Sequence, residues 1–241
     1  MAKTFKARTF KAKTFKALSA LLSYPTAELQ AAAGEIRDAI ACERLVPARI
    51  MRQLDVLIGE LEAHDLYDLQ ERYVLLFDRT RSLSLHLFEH VHGESRDRGQ
   101  AMIDLKTQYE QHGLSISAAE LPDFLPLFLE YLSVLPVGEA CDMLGQPAHI
   151  LQGLAERLRQ RKSPYEAVLR ALTVLAAARP DAAAVTAMLE EPDSDPADLT
   201  ALDADWEDEP VTFGPGAASN CKDGLIARIR AGRRPPPAVQ A

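Results

Sequence analysis

Three of the six histidines fall within seven residues, in the run Leu85-His86-Leu87-Phe88-Glu89-His90-Val91-His92-Gly93-Glu94-Ser95-Arg96-Asp97-Arg98-Gly99. On one helix, His86 and His90 would share a face at i, i+4, with Glu89 beside them. Written as a pattern, His86–His90 is HxxEH, the inverted zinc-protease signature: two imidazoles hold the metal and the glutamate moves protons. A zinc-dependent hydrolase built this way needs a third ligand from another element, a water site and a cleft. Glu94 follows too closely across Gly93 to be that ligand. Two other readings stand beside it. The run is a helix end whose histidines are satisfied by hydrogen bonds, or it is a recognition surface. Ser95-Arg96-Asp97-Arg98 sets opposite charges side by side after a glycine break, which suits a peptide's backbone and charges.

A second cluster is Glu120-Leu121-Pro122-Asp123-Phe124-Leu125-Pro126-Leu127-Phe128-Leu129-Glu130-Tyr131-Leu132. As core, it is a buried helix; Pro126 frees a backbone carbonyl if the helix runs past it. As function, an apolar groove edged by Asp123 and Glu130 would accept an amphipathic basic helix. Other chemistries find no support. There is no GxSxG elbow for a serine nucleophile. GxGxxG and GxxxxGK[ST] phosphate loops are absent. Cys42, Cys141 and Cys221 form no CxxC pair and no dense disulfide framework, so a reduced, cytoplasmic compartment and no bound metal are expected.

The elements that must position these residues read as helices. Leu18, Leu21 and Leu22 open the pattern, and Pro25 is placed to start the next helix. Ile50, Leu54, Leu57, Ile58 and Leu61 form a helical stripe, as do Leu66, Leu69, Tyr73, Leu76 and Phe77. Ser95 would cap a helix ending at Gly113, and Ser163-Pro164-Tyr165-Glu166 reads as a capping box. No convincing period-two strand appears. The expectation is all-α, a single bundle-like domain of eight or nine helices within residues 13–190.

Of the 241 residues, 47% are apolar, and no run approaches a membrane span, so no stable membrane insertion is expected. The net charge of −8 is a small remainder of opposed blocks. Residues 1–17 carry six bases and no acid, in the repeat KTFKA-RTFKA-KTFKA; residues 181–210 carry eleven acids and no base. An acidic body repels phosphate, which argues against nucleic acid as a partner and favours a basic one. The period of five matches neither helix nor strand, and residues 1–12 read as a disordered basic extension; no signal peptide is evident. Residues 191–241, acidic and then Pro-rich, are expected to be disordered. Within them Trp206, Pro210 and Phe213 stand out, either as a segment that orders on a secondary partner surface or as incidental aromatics in a tail.

Leu85–Leu105 and Leu121–Pro136, taken with TFKALSALLSYPTAEL at residues 14–29, closely resemble the nitrate reductase molybdenum cofactor assembly chaperones, or delta subunits, of the TorD-like helical superfamily. RLRQRKSPYEAVLRAL and DWEDEPVTFG are similar to later landmarks of that family, and residues 1–12 lie outside the resemblance. The resemblance implies a cytoplasmic, non-enzymatic chaperone dedicated to the catalytic (alpha) subunit of a respiratory nitrate reductase, or to the alpha–beta complex. It implies binding of that subunit's N-terminal segment, and a delay of membrane docking while the molybdenum–bis-guanine-dinucleotide cofactor and an iron–sulfur cluster are inserted. The chaperone itself would hold no cofactor stably; cofactor-biosynthesis proteins are further implied partners. By this analogy the client peptide site comprises His86, Glu89, His90, Gly93, Glu94, Ser95, Arg96, Asp97, Arg98 and Gly99 with Pro122, Asp123, Phe124, Pro126 and Glu130. Tyr24, Tyr73 and Phe77 are its expected apolar lining.

Overall fold

The computed structural model describes residues 11–92, 96–116, 120–191 and 193. Every described residue lies in one compact unit within Met1–Glu207. Twelve α-helices and no strand occur among the described residues: α1 Lys13–Leu21, α2 Ala27–Ala31, α3 Ala33–Glu43, α4 Ala48–Ala63, α5 Leu66–Tyr73, α6 Glu89–His92, α7 Arg96–Gln111, α8 Leu125–Val134, α9 Val137–Leu144, α10 Ala148–Gln160, α11 Glu166–Leu175 and α12 Ala182–Glu190. A π turn, Val74–Asp78, extends α5, and a 3-10 turn spans Arg81–Leu83. The all-α expectation holds, but the helices are more numerous than eight or nine. Ala32 ends α2 and starts α3, and Leu135-Pro136 splits one apolar stretch into α8 and α9.

Apolar stripes set the packing. Phe15, Leu18 and Leu22 are wholly buried where α1 lies against α3 and α8. Phe15 comes from the third KTFKA copy, so that copy belongs to the core. Helix α4 packs on α3 and α11, and α10 on α11 and α12. Gly153 on α10 has no side chain where Met188 of α12 presses in; a Cβ there would collide with the thioether. Helix α1 has Ala12 at its N-cap, a residue with no capping atom. Glu43, at the end of α3, supplies the acceptor: its carboxylate takes the amides of Lys13 and Thr14 at 2.8 and 2.9 Å and the Thr14 hydroxyl at 2.6 Å. A carboxylate there meets both the orphan amides and the positive end of the helix dipole.

Three boundary expectations are corrected. Pro25 does not open a helix: Thr26 caps α2, its hydroxyl accepting from Leu29 N–H at 3.2 Å. The Ser163 capping box does not form. Tyr165 precedes α11, Ser163 contributes its carbonyl to Glu166 N–H at 3.1 Å, and its hydroxyl has no partner. Ser95 lies outside the described residues, but α7 ends as expected, with Gly113 in the left-handed region at φ 78°.

Candidate functional site

The segment Leu85–Phe88 is not helical: a bend at Leu85 and a single bridge residue, His86, lead into a turn at Leu87-Phe88. Leu85, Leu87 and Phe88 are buried while His86 between them is half-exposed. The segment pairs with Leu121–Leu125 through an isolated antiparallel bridge between His86 and Phe124. Leu125 N–H donates to Leu85 O at 2.8 Å and Leu87 N–H to Asp123 O at 3.1 Å. The Asp123 side chain closes the joint: Oδ2 accepts Phe88 N–H at 3.0 Å, and Oδ1 lies 3.3 Å from His86 Nδ1. The His86 ring sits on Phe124 with centroids 5.3 Å apart.

This geometry overturns the HxxEH reading. Helix α6 begins only at Glu89, so His86 and His90 do not share a helix face. His90 turns inward and its Nε2 donates to Ser84 O at 2.8 Å. Glu89 pairs with Arg98 of α7 at 3.3 Å. Among the described residues no group of three His, Cys, Asp or Glu side chains is arranged to hold a metal ion.

Electrostatics follow from these positions. His86 is held above the ordinary histidine value, chiefly by its hydrogen bond to Asp123, against partial burial. Burial pushes His90 below that value, with its bond to Ser84 O opposing. Asp78, at the end of the π turn, is raised by burial and lies within electrostatic reach of His86.

The expected acidic groove edge is corrected in half. Glu130 is exposed on α8, but Asp123 is 0% exposed and can edge no groove. A short turn needs internal acceptors for its amides, and Asp123 meets that need. Pro126 lies in the first turn of α8, where a missing N–H costs nothing, and its carbonyl accepts the Ser19 hydroxyl of α1 at 2.7 Å. Pro122 is buried, its carbonyl accepting from Tyr109 OH at 2.7 Å. Gly99 is exposed on α7, and Arg96 and Asp97 fall in that helix's first turn. Gly93, Glu94, Trp206, Pro210 and Phe213, like Ser95, lie outside the described residues.

The expected aromatic lining splits in two. Tyr73, Phe77 and Tyr165 form a buried cluster, with Tyr73–Phe77 centroids 5.0 Å and Phe77–Tyr165 centroids 5.1 Å apart. Tyr73 OH donates to Leu22 O at 2.9 Å. Tyr73 and Phe77 therefore stand behind the surface and do not line it. Tyr24, 45% exposed, packs edge-on against Tyr73 at 5.6 Å and faces a cleft of about 320 Å³. Tyr67, Gln70, Glu71, Val74, Leu75 and Arg79 complete its walls. The π turn makes this cleft. Arg79 N–H reaches back five residues to Val74 O at 2.9 Å. The extra residue in the turn lets Leu76 and Phe77 stay inward while Val74 and Leu75 reach the cleft. Sequence periodicity missed Tyr67, Glu71 and Arg79, because a π turn leaves no distinct pattern of residue types.

Known proteins resemble this chain in sequence and in fold. A family described as "Nitrate reductase delta subunit" matches residues 25–170. The nitrate reductase molybdenum cofactor assembly chaperone NarJ of Escherichia coli K12 is 46% identical over 209 residues, 87% of each chain. The probable chaperone NarW of the same organism is 48% identical over 156 residues, 65% of this chain and 67% of its own. A probable NarJ of Bacillus subtilis is 34% identical over 157 residues, 65% of this chain and 84% of its own. In fold, a putative redox enzyme maturation protein from Archaeoglobus fulgidus superposes with a TM-score of 0.50 at 19% identity, covering 71% of this chain and 96% of that one. The matched region takes in both clusters around His86 and Asp123, and on this breadth of identity the chain belongs to the nitrate reductase delta subunit family.

Proposed function

We propose that the protein is a dedicated assembly chaperone, acting on the catalytic subunit of a respiratory nitrate reductase before its molybdenum cofactor is in place. The observation that carries this reading is the 46% identity to NarJ across 87% of both chains. The geometry supports this reading with a physical means. The Tyr24 cleft offers an apolar floor of Val74 and Leu75, with a carboxylate, Glu71, and a guanidinium, Arg79, on its walls. An amphipathic helix with basic residues on one flank would lay its apolar anchors there. Asp78, Glu89 and the half-exposed His86 continue the polar border toward α6. A site this open gives modest affinity, which suits a chaperone that must let go.

In this reading the client is the N-terminal segment of the catalytic subunit, and the chaperone acts without catalysing a reaction. No helix among the described residues is long and apolar enough to cross a membrane. Work in the cytoplasm, before the client docks on its membrane anchor, completes the proposal. The test is calorimetry of the full chain with a synthetic peptide copying the client's first residues. Saturable binding that is lost when Leu75→Asp is introduced supports the reading. Binding to a catalytic subunit lacking its N-terminus, with none to the peptide, would overturn the peptide site.

A further inference from the structure

One buried cation has no role in the site described above. Arg157 of α10 is 1% exposed, the largest fully buried side chain among the described residues. Its Nη1 donates to Ser82 O at 3.0 Å, and its Nη2 donates to Met188 O and to Glu191 O, the latter at 3.2 Å. A guanidinium can serve several carbonyls at once because its donors are fixed in a planar fork. Two of the three carbonyls close the C-terminal end of α12, the negative end of that helix. The third belongs to the loop that leads into the His86 segment.

Further contacts tighten the same joint. Arg161, one turn along α10, reaches Asp193 at 2.7 Å and Thr80 Oγ1 at 3.4 Å. The Ser82 hydroxyl also donates to Asp193. On its far side the loop is bonded to both halves of the candidate site. Thr80 Oγ1 donates to Leu75 O, in the π turn beside the Tyr24 cleft, at 2.9 Å. Ser84 O accepts from His90. Met188, Glu191 and Asp193 and the candidate site thus share one short loop, 80–84, and Arg157 is its central fastening.

We propose that Arg157 is a positioning residue: it ties the end of the helical body to the loop 80–84 that lies between the Tyr24 cleft and the His86 segment, so that Met188, Glu191 and Asp193 hold or release together with residues 80–92. This rests on the client reading above.

The test uses the full chain and the variants Arg157→Met, Arg157→Lys and Asp193→Ala. Hydrogen exchange is read at amides 82–92, and affinity for the client N-terminal peptide is read by calorimetry. Loss of a charged, buried donor predicts about tenfold faster exchange across 82–92 in Arg157→Met, and about tenfold weaker peptide binding, with α3 and α4 unchanged. Arg157→Lys recovers part of both losses, since an ammonium reaches fewer of the three carbonyls. Should Arg157→Met fail to fold, Asp193→Ala applies the same test from the surface. Faster exchange confined to 182–193, or variants that bind the peptide as tightly as wild type, overturns the proposal. A wild-type chain that binds no peptide instead overturns the client reading, and so the two failures are told apart.

Discussion

His86 and Asp123 form a half-buried imidazole–carboxylate pair, Nδ1 3.3 Å from Oδ1, and the carboxylate is completely enclosed. A buried carboxylate is tolerated only when its oxygens are engaged. Here one oxygen holds Phe88 N–H and the other faces the imidazole. The pair joins two segments 37 residues apart in sequence, so the most ligand-like histidine of the chain is a structural clasp at the edge of the candidate site.

The two histidines of the former HxxEH pattern should titrate with midpoints displaced in opposite directions from the ordinary value. His86 gains affinity for its proton on folding. Its contribution to stability is therefore full below the unfolded value of about 6.5 and is lost as pH rises through the higher folded value. His90 is held neutral by burial, so it costs stability as pH falls through that same unfolded value. NMR titration should give a midpoint above the ordinary histidine value for His86 and one below it for His90. The stability lost in His86→Gln should be greater at mildly acidic than at mildly basic pH. Coincident midpoints would refute the assignment.

Helix periodicity and the apolar stripes made the α-helical body legible, because α4, α7, α10 and α11 are long enough for a 3.6 period to show. The Leu85–Phe88 segment was not. One Leu-His-Leu alternation is too short to separate a strand from a helix, and the two histidines invited the helical spacing. Asp123 looked like a groove edge because acids are mostly exposed; its burial depends on amides contributed by the distant segment 85–88. Glu43, Arg157 and Arg161 were illegible for the same reason. Each does its work across a sequence gap that no local pattern records.

Tyr24 and Tyr73 touch, yet they should fail differently. Tyr24→Ala removes an exposed wall of the cleft and should weaken client-peptide binding about tenfold with little change in thermal stability. Tyr73→Phe removes a buried hydroxyl and strands Leu22 O, a loss of about 1 kcal/mol in denaturant titration. Its peptide affinity should stay near wild type. Equal effects of the two on binding would mean that the buried cluster, not the cleft, governs recognition.

Charge reversal must avoid Asp123, where a lysine would unfold the clasp and report nothing about the client. Glu71 lines the cleft and Glu130 is exposed. Glu71→Lys should weaken a basic peptide several-fold and flatten the salt dependence of binding, because one screened attraction becomes a repulsion. Glu130→Lys, on α8 outside the cleft, should do neither. A reversed order of effects in salt-titrated calorimetry would move the peptide onto α8.

Glu43 offers the cleanest stability test, because it caps a helix it does not belong to. Its carboxylate is the acceptor for two backbone amides and one hydroxyl at the start of α1. Glu43→Ala leaves those amides to water at the N-cap Ala12 and should cost about 1–2 kcal/mol, the usual range for a lost cap. Glu43→Gln keeps an acceptor but loses the charge facing the helix dipole, so it should cost less. Because α1 packs directly on α8, whose Pro126 carbonyl receives Ser19, exchange should quicken at the start of both helices in Glu43→Ala. Quickening in α1 alone would show that the packing between α1 and α8 does not depend on how α1 begins.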